Sequence, residues 1–418
     1  MIDVDAFKSF LGVRMVFLFG KEWTRKELEQ RTGQLAQIAG VRLVTLQNGP
    51  EQGVRVLEFR SGSGLTFTIN IDRGFDLGDC AWGGTNLGWL SSTGTRHPSL
   101  HEHDGENGFG WLRSFSGTNA TCGLDQNLFP ATDDVTHYHY PPRKQMTQPL
   151  HGRVANSPAH LMGYGERWNE DGSCTLWAKG LVKQVAVFAE NLWLYRTVEV
   201  DLGSDKIRLH DEVVNMGFNR TTHMYLYHLN FGFPLLDEGT EYVAPIARVI
   251  WAAHEQEYES QGVGYAIQSE PKKNFNEQVY EHEMMADQNG RIPVLLINRR
   301  LNAGEGLAVK VTTLKAQFPC QFEWQALSEG CFALGIEPST NHVLGKNFAR
   351  DRNEVRWLEH RESYAYDLEI DVLHSAKSIA AAVDEVYAIC RQPDEQYPRP
   401  EGNWFSLQEY LLPAKYNG

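Results

Sequence analysis

The sequence predicts an all-β protein, a large two-sheet antiparallel β-sandwich with a few peripheral helices. Three observations carry that expectation. Many short segments alternate apolar and polar residues, as Leu65, Phe67, Ile69 and Ile71 do against Thr66, Thr68 and Asn70, which is the period of a half-buried strand. Most gaps between such segments are too short for the crossover helix that a parallel sheet requires. The Gly-rich passages also lack the strand, GxGxxG turn and helix of a dinucleotide fold.

Taken in order, the chain opens with a strand signal at Val13–Phe19 and a helix signal at Thr24–Ile38, where Leu28, Leu35 and Ile38 approach helical spacing and Gly40 ends the run. Strands follow at Val41–Gln47, Val54–Arg60 and Leu65–Ile71. From Asp72 to Asn156 glycine and aromatic residues interrupt every run; loops of that extent in a compact domain usually carry function. Strand patterns resume at Cys174–Val182, Val185–Glu190, Leu192–Val200, Ile207–Asn215, Thr222–Gly232 and Tyr242–Ile250. Further on come Val294–Asn298, Gly306–Thr313, Gln321–Ala326, Cys331–Ile336 and Tyr364–Val372. Ser375–Ile389 reads as a helix capped by Ser375, with Ile379, Val383 and Val386 as its apolar stripe. The Pro-rich tail can pack back through Trp404, Phe405, Leu407, Tyr410 and Leu412, or cover a neighbouring subunit, as in a homodimer. The expected division is an N-terminal segment packed on the core (1–40), a sandwich domain (41–374) and a C-terminal helix and tail (375–418).

Composition narrows the function. A 418-residue chain with 42% hydrophobic and 22% charged residues can bury a large core. Its formal charge of −14 argues against nucleic acid or an anionic membrane as partner. It shows no apolar run of bilayer-spanning length and no basic segment leading into a secretory core, so a cytoplasmic protein is expected. Six widely spaced cysteines without a CxxC read as reduced, buried small hydrophobes. Eleven tryptophans and sixteen tyrosines suit the C–H faces of sugars as well as a protein core.

Three segments set an unusual polar residue in apolar surroundings. In Thr222–Gly232, strand alternation puts His228, Asn230 and Gly232 on one face and Tyr227, Leu229 and Phe231 on the other. Glu337 ends the alternation of Phe332, Leu334 and Ile336 and precedes Pro338, and His151 stands in LHGRV. Singly, each is most simply a hydrogen-bonded buried group. Together, two imidazoles and a carboxylate can give and take protons on opposite sides of a ligand, although spacing alone does not bring them together.

Other chemistries find less support. His101/His103 and His137/His139 have the i, i+2 spacing that would put both rings on one face of a strand, but they lie among acidic residues in hydrophilic loops. No HExxH or cysteine cluster accompanies them, and neither a metal nor a cofactor is expected. No serine sits in a GxSxG elbow. A glycosidase would need a second acid beside Glu337, for which Asp72, Asp76 and Asp125 are available.

The passages IDRGFDLG, FGWLRSFSG, TCGLDQN, LHGRVANSPA, LYHLNFGFPLL, FEWQALSEG and ALGIEP occur in that order from Ile71 to Pro338. Through them the chain resembles the galactose mutarotase-like (aldose 1-epimerase-like) superfamily, and within it the DUF4432 branch. The resemblance implies a β-sandwich with a sugar site on its concave face. It also implies an isomerase acting on a monosaccharide or modified monosaccharide. A glutamate would take the anomeric proton, a histidine would protonate the ring oxygen, and a second histidine would assist. By motif these are similar to Glu337, His228 and His151, and a hydroxyl-binding arginine to Arg113, with Arg73 as competitor. On the same reading Trp324 stacks on the pyranose, and Asn230 and Asp125 hold hydroxyls. Arg153, where ordinary mutarotases have glycine, would meet a carboxylate, sulfonate or phosphate on the substrate. A carbohydrate-binding protein that kept the groove without turnover is the alternative.

Overall fold

The computed structural model describes residues 15–253, 264–342 and 344–394. Within them the strand-rich segments pair antiparallel into two large sheets and several smaller ones. One large sheet has eight strands, in the order Ala159–Trp168, Cys174–Val185, Asn191–Asp201, Lys206–Asn215, Ser363–Leu373, Leu307–Leu314, Arg291–Asn298 and Glu241–Val243. The other, called here the site sheet, has six: Ile246–Ala252, Gln278–Met284, Cys320–Ser328, Cys331–Ser339, Leu226–Gly232 and Asn119–Cys122. A five-stranded sheet comprises Gly40–Thr45, Arg55–Arg60, Leu65–Asn70, Asp76–Trp82 and Thr85–Asn86.

All three feed one hydrophobic core, to which Leu194 and Val198, Tyr227 and Ile336, and Phe59 and Ile69 contribute. The strand Asn191–Asp201 shows how pattern becomes packing: Leu192, Leu194, Arg196, Val198 and Val200 are buried and the residues between them are partly exposed. The site sheet is different. Every residue of Leu226–Gly232 is buried, because its second face lies under a smaller core containing Trp89, Trp111, Phe115 and Phe322. Those first three residues come from the interrupted region between Asp72 and Asn156, so the long loops form a roof over the site sheet.

Several boundaries differ from expectation for identifiable reasons. The helix expected over Thr24–Ile38 is only Arg25–Glu29, held by a capping box between Thr24 and Glu27, followed by a separate 3-10 turn at Leu35–Gln37. Val185–Glu190 is a hairpin turn, with Phe188 at φ 60° and the Ala186 amide donating to the Glu190 carbonyl. The run Thr222–Gly232 is two strands, because Thr221–His223 pairs with Arg356–Leu358 before Leu226 joins the site sheet. The segment expected as Tyr242–Ile250 splits between the two large sheets around Pro245, which has no N–H to give to a ladder. Asp76–Trp82 and Gln278–Met284 are strands that the pattern did not mark.

The helix Ala376–Ile389 forms as expected. Ser375 Oγ accepts from the Ser378 amide at 3.1 Å, and Ile379, Ala382 and Val386 pack on Val243, Leu295, Ile297 and Ala308 of the eight-stranded sheet. The tail residues Trp404 to Leu412 lie outside the described residues. All six cysteines are free. Among the described residues no helix is long and apolar enough to cross a membrane.

Candidate active site

The register of two adjacent strands builds the centre of the site. Leu226 pairs with Ser339 and Leu229 with Ile336, which sets His228 directly opposite Glu337; cross-strand neighbours of this kind stand side by side on one face. That face opens into a cavity of about 320 Å³ lined by His151, His228, Glu337, Trp89, Trp111 and Trp324, among others, within the range of small-molecule sites. His228 Nε2 and Glu337 Oε1 are 3.1 Å apart. Their geometry is a contact without hydrogen-bond alignment, since Glu337 Oε1 has no hydrogen-bond partner.

What permits this approach is the absence of a side chain at Gly335, which pairs with Trp324 on one side and Asn230 on the other. A Cβ there would stand 2.7 Å from Glu337 Oε1, 3.1 Å from Trp324 Cβ and 3.4 Å from His228 Cε1. The first of these is closer than carbon and oxygen tolerate.

Hydrogen bonds fix the protons on both histidines. Asn230 donates through Nδ2 to the carbonyls of Gly117 and His228, at 3.1 and 2.9 Å, so its Oδ1 must face His228 Nδ1, 2.6 Å away. Nδ1 therefore carries the hydrogen and Nε2 presents a lone pair to Glu337. His151 has the opposite tautomer. Its Nδ1 accepts from the Leu128 amide at 3.3 Å, which leaves an Nε2–H donor. His151 is held at φ 56°, and the next residue must be glycine, because a Cβ at Gly152 would lie 2.1 Å from the Gly123 carbonyl oxygen.

Burial sets the charges. It raises the Glu337 carboxyl to about 8, with Glu277 adding to the shift, so near neutral pH the group is largely protonated. Burial lowers His228 to about 3 against the opposing effect of the hydrogen bond it donates to Asn230, and it holds His151 well below its ordinary value, with His228 as the further cause. Near neutral pH the pair of His228 and Glu337 thus holds one ionisable proton, on Glu337, facing the free Nε2 of His228.

Aromatic rings enclose this pair. Phe115 meets His228 edge-on at 4.7 Å, Trp324 lies 5.2 Å from the same imidazole, and Trp111 stacks on Phe115 at 4.1 Å and tilts over His151 at 4.5 Å. Trp324 Nε1 donates to Glu277 Oε2 at 3.0 Å, which fixes the indole at the rim. The rings leave flat apolar faces toward the cavity beside His228 and Glu337.

Of the residues singled out in the sequence, the structure brings Glu337, His228, His151 and Trp324 to the cavity. Asn230 lies beneath it and acts on His228 rather than on a ligand. The others are elsewhere. Arg113 is exposed and paired with Glu106. Arg73 is buried and donates to the carbonyls of Ala155, Arg96 and Ser114 at 3.3, 3.4 and 2.6 Å, which ties the roof loops together. Asp125 accepts from Gln148 and Gln184 at 2.9 and 2.6 Å. Arg153 donates to Gln148 and the Thr147 carbonyl, so the anion contact expected of it is replaced by internal bonds. His228 and Glu337 also sit side by side, not on opposite sides of a ligand.

The histidine pairs do not form strand-borne ligand sets. His137 belongs to a 3-10 turn and His139 follows it at φ 54°. His101 and His103 do meet, at 3.1 Å, but in a loop rather than on a strand; burial, His103 and the charges of Arg73 and Arg96 hold His101 at about 3. Missed in the sequence were Trp89, Trp111, Phe115 and Glu277; the aromatic spacing in FGWLRSFSG was a signal for Trp111 and Phe115 but not for Trp89 or Glu277.

The model of the family described as "Domain of unknown function (DUF4432)" matches residues 51–372. The chain belongs to the DUF4432 family. This DUF4432 chain is similar in structure to a candidate aldose 1-epimerase from Klebsiella pneumoniae, with a TM-score of 0.75 and 24% identity over 87% of this chain and 91% of that one. It is also similar to a galactose mutarotase-like protein from Clostridium acetobutylicum, with a TM-score of 0.52 and 12% identity over 80% and 98% of the two chains. At these identities the likeness shows the fold, which is the galactose mutarotase-like β-sandwich. No curated protein matches the chain.

Proposed function

We propose that this DUF4432 protein interconverts the anomers of a monosaccharide by acid–base ring opening, as aldose 1-epimerases do. One observation carries the reading: His228 and Glu337 oppose each other in register, with Nε2 and Oε1 3.1 Å apart, at the base of an aromatic-walled cavity.

The chemistry suits that arrangement. In a cyclic aldose the anomeric hydroxyl and the ring oxygen are bonded to the same carbon, so groups that serve both must be neighbours. Passing the proton from Glu337 to His228 Nε2 creates a carboxylate and an imidazolium with no change in net charge. The carboxylate takes the anomeric hydroxyl proton and the imidazolium protonates the ring oxygen, which breaks the bond from C1 to that oxygen. His151, with its Nε2–H, supports the ring oxygen as negative charge develops there. Rotation about C1–C2 and the reverse proton transfers close the ring on the other face. Glu277 at the rim and the internal bonding of Arg153 favour a neutral sugar over one bearing an acidic group.

The test is NMR exchange between anomers over a panel of aldoses, uronates and sugar phosphates. Glu337→Gln is expected to slow exchange by roughly 10²-fold or more on the accepted sugar while leaving its binding in place. Equal exchange rates for the variant and the parent would refute the acid–base role of Glu337, and exchange by the parent no faster than in buffer alone would leave a carbohydrate-binding protein as the reading.

A further inference from the structure

A second cluster of reactive side chains lies on the same face of the site sheet. The pairing of Glu281 with Phe322, and of Phe322 with Glu337, places all three in one row across that face. Cys320 is two residues before Phe322, on the same side of its strand, and pairs with Ser339; His342 follows that strand by three residues. A carboxylate oxygen of Glu281, Sγ of Cys320 and a ring nitrogen of His342 all lie within 4.8 Å of one another.

Two further features point to a ligand. Glu281 is 1% exposed; one of its oxygens meets His342 Nδ1, the other lacks an aligned hydrogen-bond partner, and the Cys320 thiol is the further group at the carboxylate; a buried carboxylate so sparsely satisfied is costly unless something else binds it. The far side of the His342 ring faces another carboxylate. Nε2 is 3.6 Å from Glu354 Oε1, which in turn accepts from Arg352 Nε at 2.6 Å. A carboxylate behind the second nitrogen of an imidazole is the arrangement that orients metal-ligating histidines.

We propose that Glu281, Cys320 and His342 bind a divalent cation of the zinc class, with Glu354 as the positioning residue behind His342. The donor set of one thiolate, one imidazole nitrogen and one carboxylate oxygen suits a borderline-soft ion better than calcium or magnesium, which take oxygen ligands. A thiolate and a carboxylate also balance its charge. Binding releases the Cys320 thiol proton, moves His342 Nδ1 from its Glu281 contact to the metal, and leaves Nε2–H for Glu354. The ion would join the strands Gln278–Met284 and Cys320–Ser328 to the turn after Cys331–Ser339, one side chain away from Glu337. The site is independent of the sugar-opening reading, since none of its ligands enters that mechanism.

The full chain, reconstituted with Zn²⁺ and desalted, is expected to retain one equivalent by elemental analysis. With Co²⁺ it should show a thiolate-to-cobalt charge-transfer band in the near ultraviolet. Cys320→Ser and His342→Ala should each abolish the band, Cys390→Ser should keep it, and Glu354→Gln should weaken cobalt binding by roughly 10–100-fold. If Cys320→Ser fails to fold by circular dichroism, His342→Ala carries the test, since His342 is partly exposed; its melting temperature should no longer rise with added Zn²⁺. Substoichiometric metal in the parent chain, a cobalt spectrum without thiolate character, or a band that survives either ligand substitution would overturn the site.

Discussion

Two successive side chains on one strand, Tyr227 and His228, enter buried polar clusters of different construction. Tyr227 points into the sandwich, where its hydroxyl donates to Asp211 at 2.5 Å. The same carboxylate accepts from Tyr225 at 2.6 Å and from Arg196 at 2.8 and 2.7 Å. Arg196 also bonds Thr121 at 2.8 Å and contacts Asp76, so it links strands of all three main sheets. His228 points the other way, into the cavity, where Glu337 leaves an oxygen unpartnered. Both clusters are buried. One satisfies its charges and holds the fold together; the other leaves capacity unused and is available for chemistry.

The difference can be broken by mutation, starting with the largest effect. Arg196→Met strips two buried aspartates of their partner and should destabilise the fold by roughly 3–5 kcal/mol in denaturant titration. Little or no loss would mean that the cluster is not the clamp described here. Glu337→Gln should have the opposite sign. The carboxyl is raised from 4.5 to about 8 in the folded chain, so between those pH values the unfolded chain ionises and the folded one does not, and stability falls as pH rises through that window. A glutamine cannot ionise. The variant should therefore match the parent below pH 4.5 and exceed it by roughly 2–4 kcal/mol at pH 8, as pH-dependent melts would show.

Catalysis should follow the same proton. Above about pH 8 the His228 and Glu337 pair loses it and has no acid to offer, so kcat/KM should fall with a single ionisation there; a profile flat through pH 9 would contradict that role for the proton. Asn230→Ala frees His228 to change tautomer and should lower kcat by roughly 10-fold or more with little change in KM. A change confined to KM would instead put Asn230 in contact with the sugar. Arg113→Ala should be the smallest change, under about 2-fold in activity, because its partner Glu106 lies with it on the surface.

What the sequence disclosed follows a physical division. Alternation marks strands with one face on the core, and Leu192–Val200 and Leu65–Ile71 were read from it almost to the residue. It also gave the facing of Tyr227 and His228, since a two-residue period leaves no other choice. The roof was recognised only as loops in which function was expected. Trp111 reaches the cavity from the 3-10 turn Gly110–Arg113 and Phe115 from the irregular segment just after it, and no periodicity encodes where such segments point. For the same reason Arg113, two residues from Trp111, could be placed in the family motif but not oriented, and it proved to face solvent. Asp125, Arg153 and Arg73 look like ligand-binding groups in sequence because their internal partners, Gln184, Gln148 and three backbone carbonyls, are apparent only once the chain is folded.

Gly335 gives the acid–base pair an unexpected fragility. Alanine at that position would alter neither proton-carrying group and would leave the aromatic walls standing, yet its methyl would crowd the Glu337 oxygen away from His228. Under the proposed function, a homologue with alanine there would lose turnover while still binding its ligand, and an inventory of reactive side chains would not reveal the loss.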